Sequence, residues 1–411
     1  MELLEREDSA RCVVYTFPHL TIQEFVAAVA QFLTLHPKDI LKFLTEAHNM
    51  TDGRFEVFLR FVAGLSSPMT ARGLEEFLGP FPHQTTCRVI DWVKEEVKRQ
   101  SGNTRIASGK RSLLNTLHYL FESQNRGLTQ GTLGSVKKLS FSGMTLTPID
   151  CAVLSHVIGL CDTIKHLDLQ GCQLQCEGIQ RLGPGLHKCQ ELSLGQNKLG
   201  DSGVKLVSAA LRNPECKIQK LWLWDVSLTY SGAEDLASAL STNPSLTELG
   251  LGYNKLGDSG VKLVSVALTN PKCGIEKLGL RDIGLTDSGA EDLASALSTN
   301  PSLTELELGF NSLTDRSVPA LRRLILALPS LKLIEVICPP KYRAHRQCVR
   351  KLAGCYKRMW HVCYQWEGCD QENKESTCRS SGSGNPVTFG DGIAECESNV
   401  KPQRNNRPSE M

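Results

Sequence analysis

At 411 residues, 41% of them hydrophobic, the chain is too long for one ordinary globular core, so several domains or an elongated stacked array are expected. Its formal charge of +2 excludes a general electrostatic appetite for nucleic acid or anionic membrane. The acidic start MELLEREDSARCVV reads against a secretory signal and no apolar run approaches the roughly 18 residues of a membrane span, so the 16 cysteines read as reduced thiols of a cytoplasmic protein.

The first 130 or so residues carry helical stripes such as TIQEFVAAVAQFL and CRVIDWVKEEVKRQ, with apolar residues three and four apart, and predict a compact helical region. The stretch YTFPHLTIQEFVAAVAQFL resembles the F-x-H-x-S-x-Q-E-F-x-A-A signature in the winged-helix part of NACHT-type NOD-like receptors, with Thr21 where serine is common. FEVFLRFVAGLSSP is similar to the segment that follows in their second helical domain. The resemblance implies that residues 1–35 are a winged-helix remnant and 36–132 a helical domain, with the NTPase core missing. It also implies that His19 matches a histidine that contacts the phosphates of bound ADP in the family, a contact orphaned here. The stretch TRIASGKRS, Thr104 to Ser112, approaches a phosphate-binding loop, but Thr104 stands where the first glycine is needed and Arg111 where Ser or Thr would hold magnesium. A solvated interhelical loop is expected there. No cofactor is implied.

From about residue 133 the chain repeats. SGAEDLASALSTNPSLTEL occurs at Ser231 and again, unchanged, at Ser288, 57 residues on. Aligned leucine-rich segments place strand residues at Leu139, Leu167, Leu192, Leu221, Leu249, Leu278, Leu306 and Ile334, mostly 28 or 29 apart. The pattern is L-x-x-L-x-L-x-x-N/C-x-L, in which a short strand and a helix form one coil of a solenoid. The ninth position alternates through Met144, Cys172, Asn197, Val226, Asn254, Ile283 and Asn311, so the unit copied is a pair of coils. Between strands, DSGVKLVSAAL and SGAEDLASAL read as helices, with Asp201 or Ser231 placed to cap and Asn-Pro placed to stop them. Repeats of this length and alternation resemble the ribonuclease-inhibitor type. The expected fold is an α/β leucine-rich-repeat horseshoe over 133–340, parallel sheet inside and helices outside, preceded by the all-α domain.

In such a strand the leucines point into the core and the residues between them face the open concave side. The first concave column reads Lys138, His166, Glu191, Lys220, Glu248, Lys277, Glu305, with signs alternating from Glu191. Neighbouring strands lie about 4.8 Å apart, so these charges are placed to pair and to neutralise one another. The other two columns set Trp222 and Trp224 beside serine and glycines, with Asp168, Arg281 and Glu307 as a polar rim. Two indoles beside rows without side chains form an anchor ridge for a protein partner; the alternative is that they lie flat over glycine backbone. Eight strands give an inner arc of about 34 Å, which suits a protein surface better than a metabolite.

No C-x-x-C, H-E-x-x-H or G-x-S-x-G is present, and Cys172 and Cys176 flank a repeat turn, so neither metal nor catalytic chemistry is indicated. Residues 341–370 read as a basic amphipathic helix that caps the last repeat, stays solvated, or meets a membrane surface or calmodulin-like partner; 371–411 read as disordered. The family resemblance implies a non-enzymatic protein of innate immune sensing or regulation that binds a related receptor, a signalling protein or a pathogen-derived ligand. Whether its role is autoinhibitory or that of a truncated regulator, and in what oligomeric state, stays open. The alternative is a stand-alone inhibitor clamping an enzyme as the ribonuclease inhibitor does.

Overall fold

The computed structural model describes residues 4–8, 12–17, 19–33, 40–50 and 52–336. The predicted basic helix at 341–370 and the predicted tail at 371–411 lie outside the described residues.

The chain opens with two strands that the helical reading of this region did not foresee, β1 (Leu4–Asp8) and β2 (Cys12–Thr16), paired antiparallel. Seven helices follow: α1 (Leu20–Leu33), α2 (Ile40–Asn49), α3 (Glu56–Leu65), α4 (Pro68–Leu78), α5 (His83–Ser101), α6 (Ala107–Ser123) and α7 (Arg126–Leu133). Their apolar stripes meet in one core in which Phe32, Leu44, Leu59, Val62, Leu113 and Leu117 are fully buried. One buried cluster is polar: His48 Nε2 lies 3.1 Å from Glu96 Oε1 and its Nδ1 lies 3.2 Å from the Tyr119 hydroxyl, while Trp92 stacks on Tyr119. Burial pushes the His48 imidazole below its usual range against the pull of Glu96.

The TRIASGKRS stretch is an interhelical loop only over residues 104–106, where Arg105 and Ile106 are exposed. α6 begins at Ala107 and Gly109 is buried against the loop that leads into it, where a Cβ would stand 1.8 Å from the Asn103 carbonyl oxygen. Lys110, read above as a phosphate-loop near miss, sends its ammonium to the Ser142 carbonyl in the first repeat.

The repeats build a single eight-stranded parallel sheet in chain order: β3 (Leu139–Ser140), β4 (Ile164–Asp168), β5 (Cys189–Ser193), β6 (Lys220–Trp222), β7 (Glu248–Gly250), β8 (Lys277–Gly279), β9 (Glu305–Glu307) and β10 (Leu333–Glu335). The strand leucines pair in the register read from sequence, from Leu139 opposite Leu167 to Leu306 opposite Ile334, and all eight are at most 1% exposed. The outer helices are α8 (Pro148–Gly159), α9 (Cys176–Leu186), α10 (Gly200–Leu211), α11 (Tyr230–Leu240), α12 (Gly257–Leu268), α13 (Asp287–Leu297) and α14 (Val318–Ala327). No helix among the described residues is long and apolar enough to cross a membrane.

Two polar devices tie coil to coil. The first explains the paired period. Asn254 is 3% exposed; its amide donates to the Leu223 carbonyl of the preceding coil at 2.7 Å and to its own Leu251 carbonyl at 2.8 Å. Its carbonyl accepts the Val226 and Leu228 N–H groups of the preceding coil at 3.1 and 3.0 Å. Asn311 repeats this on Leu280, Ile283 and Leu285, and Asn197 reaches Leu169 and Leu174. Each asparagine thus satisfies its own coil and the one before it, which leaves Cys172, Val226 and Ile283 free to be apolar. The second device corrects the helix-cap reading. Asp201 does not cap α10; its carboxylate accepts the Thr229 N–H and hydroxyl of the next coil at 2.8 and 2.7 Å. Ser231 does not cap α11 either. Thr229 is the cap, accepting the Ser231 N–H. Asp258 makes the same staple to Thr286. The glycine of SGAEDL is required by that staple, since a Cβ on Gly289 would stand 2.1 Å from Asp258 Oδ1.

The helical region docks on the first coil through buried polar contacts. His118 Nε2 donates to Asp150 Oδ1 at 2.8 Å, and Asp150 also accepts the Thr147 N–H at 2.9 Å in a capping box on α8. Burial alone would raise the Asp150 pKa, but the bonds from His118 and Thr147 outweigh it and hold the carboxyl at about 2.

Asn254→Ala removes five bonds and strands buried backbone groups in two coils, so urea unfolding should show a loss of about 3–4 kcal/mol. Asp150 is favoured ionised in the folded state. Its stabilisation is therefore complete above about pH 4 and fades as pH falls through about 2; Asp150→Asn should cost about 2 kcal/mol at pH 7 and progressively less below pH 4, read by unfolding at each pH.

Candidate functional site

The concave wall is the face that the strand alternation leaves open. From Glu191 on, its first column is an ion-pair ladder: Lys220 lies 3.3 Å from Glu191 and 3.4 Å from Glu248, and Lys277 3.9 Å from Glu248 and 3.2 Å from Glu305, while His166 Nδ1 lies 3.4 Å from Glu191 with its imidazole pushed below the usual range by burial. Every carboxylate of this run has a cation on a neighbouring strand. Partial exposure limits each pair to about 0–1 kcal/mol, so the ladder neutralises the wall more than it stabilises it.

The second and third columns hold the residues singled out from sequence. Trp222, on β6, pairs in register with Ser193 and Gly250, and its ring lies back across β5 to within 6.2 Å of the His166 ring on β4. Trp224 lies over Gly195, where a Cβ would meet its Nε1 at 2.4 Å. Both indoles are half-buried, so they cover backbone and still present a face to solvent. The Trp222 Nε1 and His166 Nε2 atoms are shielded and have no hydrogen-bond partner. Trp224 continues edge-on into Tyr253, with ring centroids 6.3 Å apart. Strand alternation foretold the tryptophans but not Tyr253, which sits past the strand in the turn.

The three polar residues do not gather around the indoles. Asp168 is buried on β4, accepting the Ser140 hydroxyl at 2.8 Å and lying 3.2 Å from Lys138. Arg281 and Glu307 stand together at the other end, 3.5 Å apart, and the Arg281 guanidinium also donates to Glu335, which sequence reading left out. Burial pushes the Glu307 carboxyl up to about 7; Arg281 pulls it down, and Glu335 and Glu305 push it up further. Arg281 so divides its charge between two carboxylates. His19 is exposed at the start of α1, where its Nδ1 accepts the Thr21 N–H at 3.3 Å. Cys172 is buried against the Phe141 carbonyl, with its thiol pushed up to about 12 by burial, whereas Cys176 is exposed.

Comparison with known proteins adds the decisive observation. The family described as NLRC4 helical domain HD2 matches residues 19–131, and the leucine-rich-repeat family matches 161–183, 190–208, 242–265 and 299–321. The chain therefore carries a helical domain of the NLRC4 HD2 kind followed by leucine-rich repeats. It is similar to the NACHT, LRR and PYD domains-containing protein 3 of Macaca mulatta, 28% identical over 75% of this chain and 34% of that protein. The Bos taurus counterpart is 41% identical over 50% of this chain and 20% of its own length. The Homo sapiens NACHT, LRR and PYD domains-containing protein 12 is 29% identical over 73% of this chain and 31% of that protein. The chain spans about a third of the length of these relatives at most. The indole pair sits on the concave wall of these repeats, opposite the helices.

Gly195→Ala would force the Trp224 ring off the sheet. A loss of about 1–3 kcal/mol is expected, together with a shifted tryptophan emission; an unchanged spectrum and stability would contradict the placement of that indole.

Proposed function

We propose that this chain works in innate immune sensing or its regulation by binding a protein partner on the concave face of its repeats, without chemistry of its own. The observation that carries the reading is the division of labour on that face. The charged column is spent internally on the ladder, while Trp222 and Trp224 keep exposed ring surface beside glycine and serine. Aromatic surface of this kind is what hot spots are made of. Asp168, Arg281 and Glu307 are the polar margin of the contact, already oriented by Ser140, Lys138 and Glu335. For His19 the bond to the Thr21 N–H is the role we assign in this chain.

By this reading the partner is the NACHT-bearing part of a related receptor, and the contact is restraining. The similarity to NACHT and leucine-rich-repeat proteins supports that choice, as does the rigid docking of the helical region on the first coil through His118, Asp150 and Lys110. A rigid arm lets occupation of the arc fix the position of the helices. The cytoplasm is the compartment this proposal requires. An inhibitor-like clamp on a basic enzyme would call for net negative charge along the wall, and the balanced ladder does not supply it.

Co-precipitation of the purified chain with a NACHT-containing relative tests the proposal. Wild type should bind, and the double variant Trp222→Ala, Trp224→Ala should bind at least about tenfold more weakly. Absence of binding, or binding that ignores both tryptophans, would sink it.

A further inference from the structure

Each coil must turn after its strand with one residue in the left-handed region. The position is occupied in order by Gly143, Gly171, Gln196, Asp225, Tyr253, Asp282 and Phe310, with φ between 47° and 73°. Glycine takes this conformation without penalty and fills it in the first two coils. A ring-bearing residue there is disfavoured. Yet Tyr253 is 45% exposed and Phe310 38% exposed, so packing within the chain does not account for them. The two neighbours of Tyr253 on this rim are Asp225 and Asp282, both exposed, and among the described residues neither side-chain carboxylate makes an ion pair or hydrogen bond. Together with Trp224 they line an open groove of about 810 Å³. Lys255 also borders it, which leaves the lining with a net charge of −1.

We propose that this rim groove is a docking site for an extended, arginine-bearing segment of a protein partner. The chemistry follows from the juxtaposition: an exposed aromatic face between two unpaired carboxylates receives a guanidinium by stacking and by ion pairing at once. The spacing sets the register. Asp225 and Asp282 are two coils apart, about 10 Å at the usual strand separation, and an extended chain advances about 3.3 Å per residue. The partner presents arginines at positions i and i+3, with an apolar residue between them lying on Tyr253 and Trp224. The site adjoins the concave ridge and shares Trp224 with it, but it is built on the turn after the strand, and Trp222 is not part of it. The inference does not rest on the restraining role proposed above.

The test is fluorescence anisotropy of the full chain with a labelled, end-blocked decapeptide containing Arg-Leu-Ser-Arg, against a control with both arginines replaced by glutamine. Saturable binding is expected for the first peptide, at least about tenfold weaker for the control. Asp225→Asn with Asp282→Asn should weaken it at least about tenfold. Tyr253→Gly should do the same while leaving thermal stability unchanged or raised, because glycine suits the left-handed turn; this separates loss of binding from loss of fold. Absence of binding, equal binding of the glutamine peptide, or binding insensitive to Tyr253→Gly would each overturn the assignment.

Discussion

The structure depends on one buried amide repeated every second coil. A solenoid coil must turn sharply past its strand, and the turn leaves carbonyls and N–H groups inside a core that water does not enter. Asn197, Asn254 and Asn311 supply a donor and an acceptor at that place and share them with the coil before. The alternate coils can then be wholly apolar at the ninth position, and the sequence must be copied two coils at a time. The Asp201 and Asp258 staples run the other way along the array, each from its own coil to the next. Bonds directed backward inside and forward outside couple neighbouring coils, so the array resists opening at any one of them.

From this frame the concave wall follows. Strand alternation sends leucine inward and three residues outward, and the fixed register brings like positions into columns. A column of alternating sign neutralises itself at the distances observed. Large rings placed in columns otherwise made of glycine and serine find room to lie down, as Trp224 does on Gly195. The wall is in this way electrically quiet and locally aromatic, a surface that favours shape and ring contacts over capture by charge.

The helical region contributes orientation. α6 buries Gly109 against the loop before it and turns Lys110 and His118 toward the first coil, where they meet the Ser142 carbonyl and Asp150. The same lysine that looked like half of a phosphate loop is a strut between two modules. What made it ambiguous in sequence is that glycine followed by lysine serves a tight entry into a helix as well as a phosphate.

Much of the fold was legible in the sequence because the repeat is short-ranged: a strand leucine at Leu221 or Leu278 predicts its own burial, its neighbours and its register without knowledge of anything distant. The tryptophans and the ladder were legible for the same reason. Partners outside the period were not. Asp201 looks like a helix cap until the Thr229 of the next coil is seen against it, Arg281 gives no sign that Glu335 will share it, and Tyr253 stands at a rim only because the coil turns through a left-handed residue there. Sequence by itself determined the array, the pairing of its coils and the faces of its strands, since these arise from local periodicity. Tertiary structure alone decided which polar atoms meet across coils and which rings stay uncovered, since those depend on curvature and on side-chain reach, which no local pattern encodes.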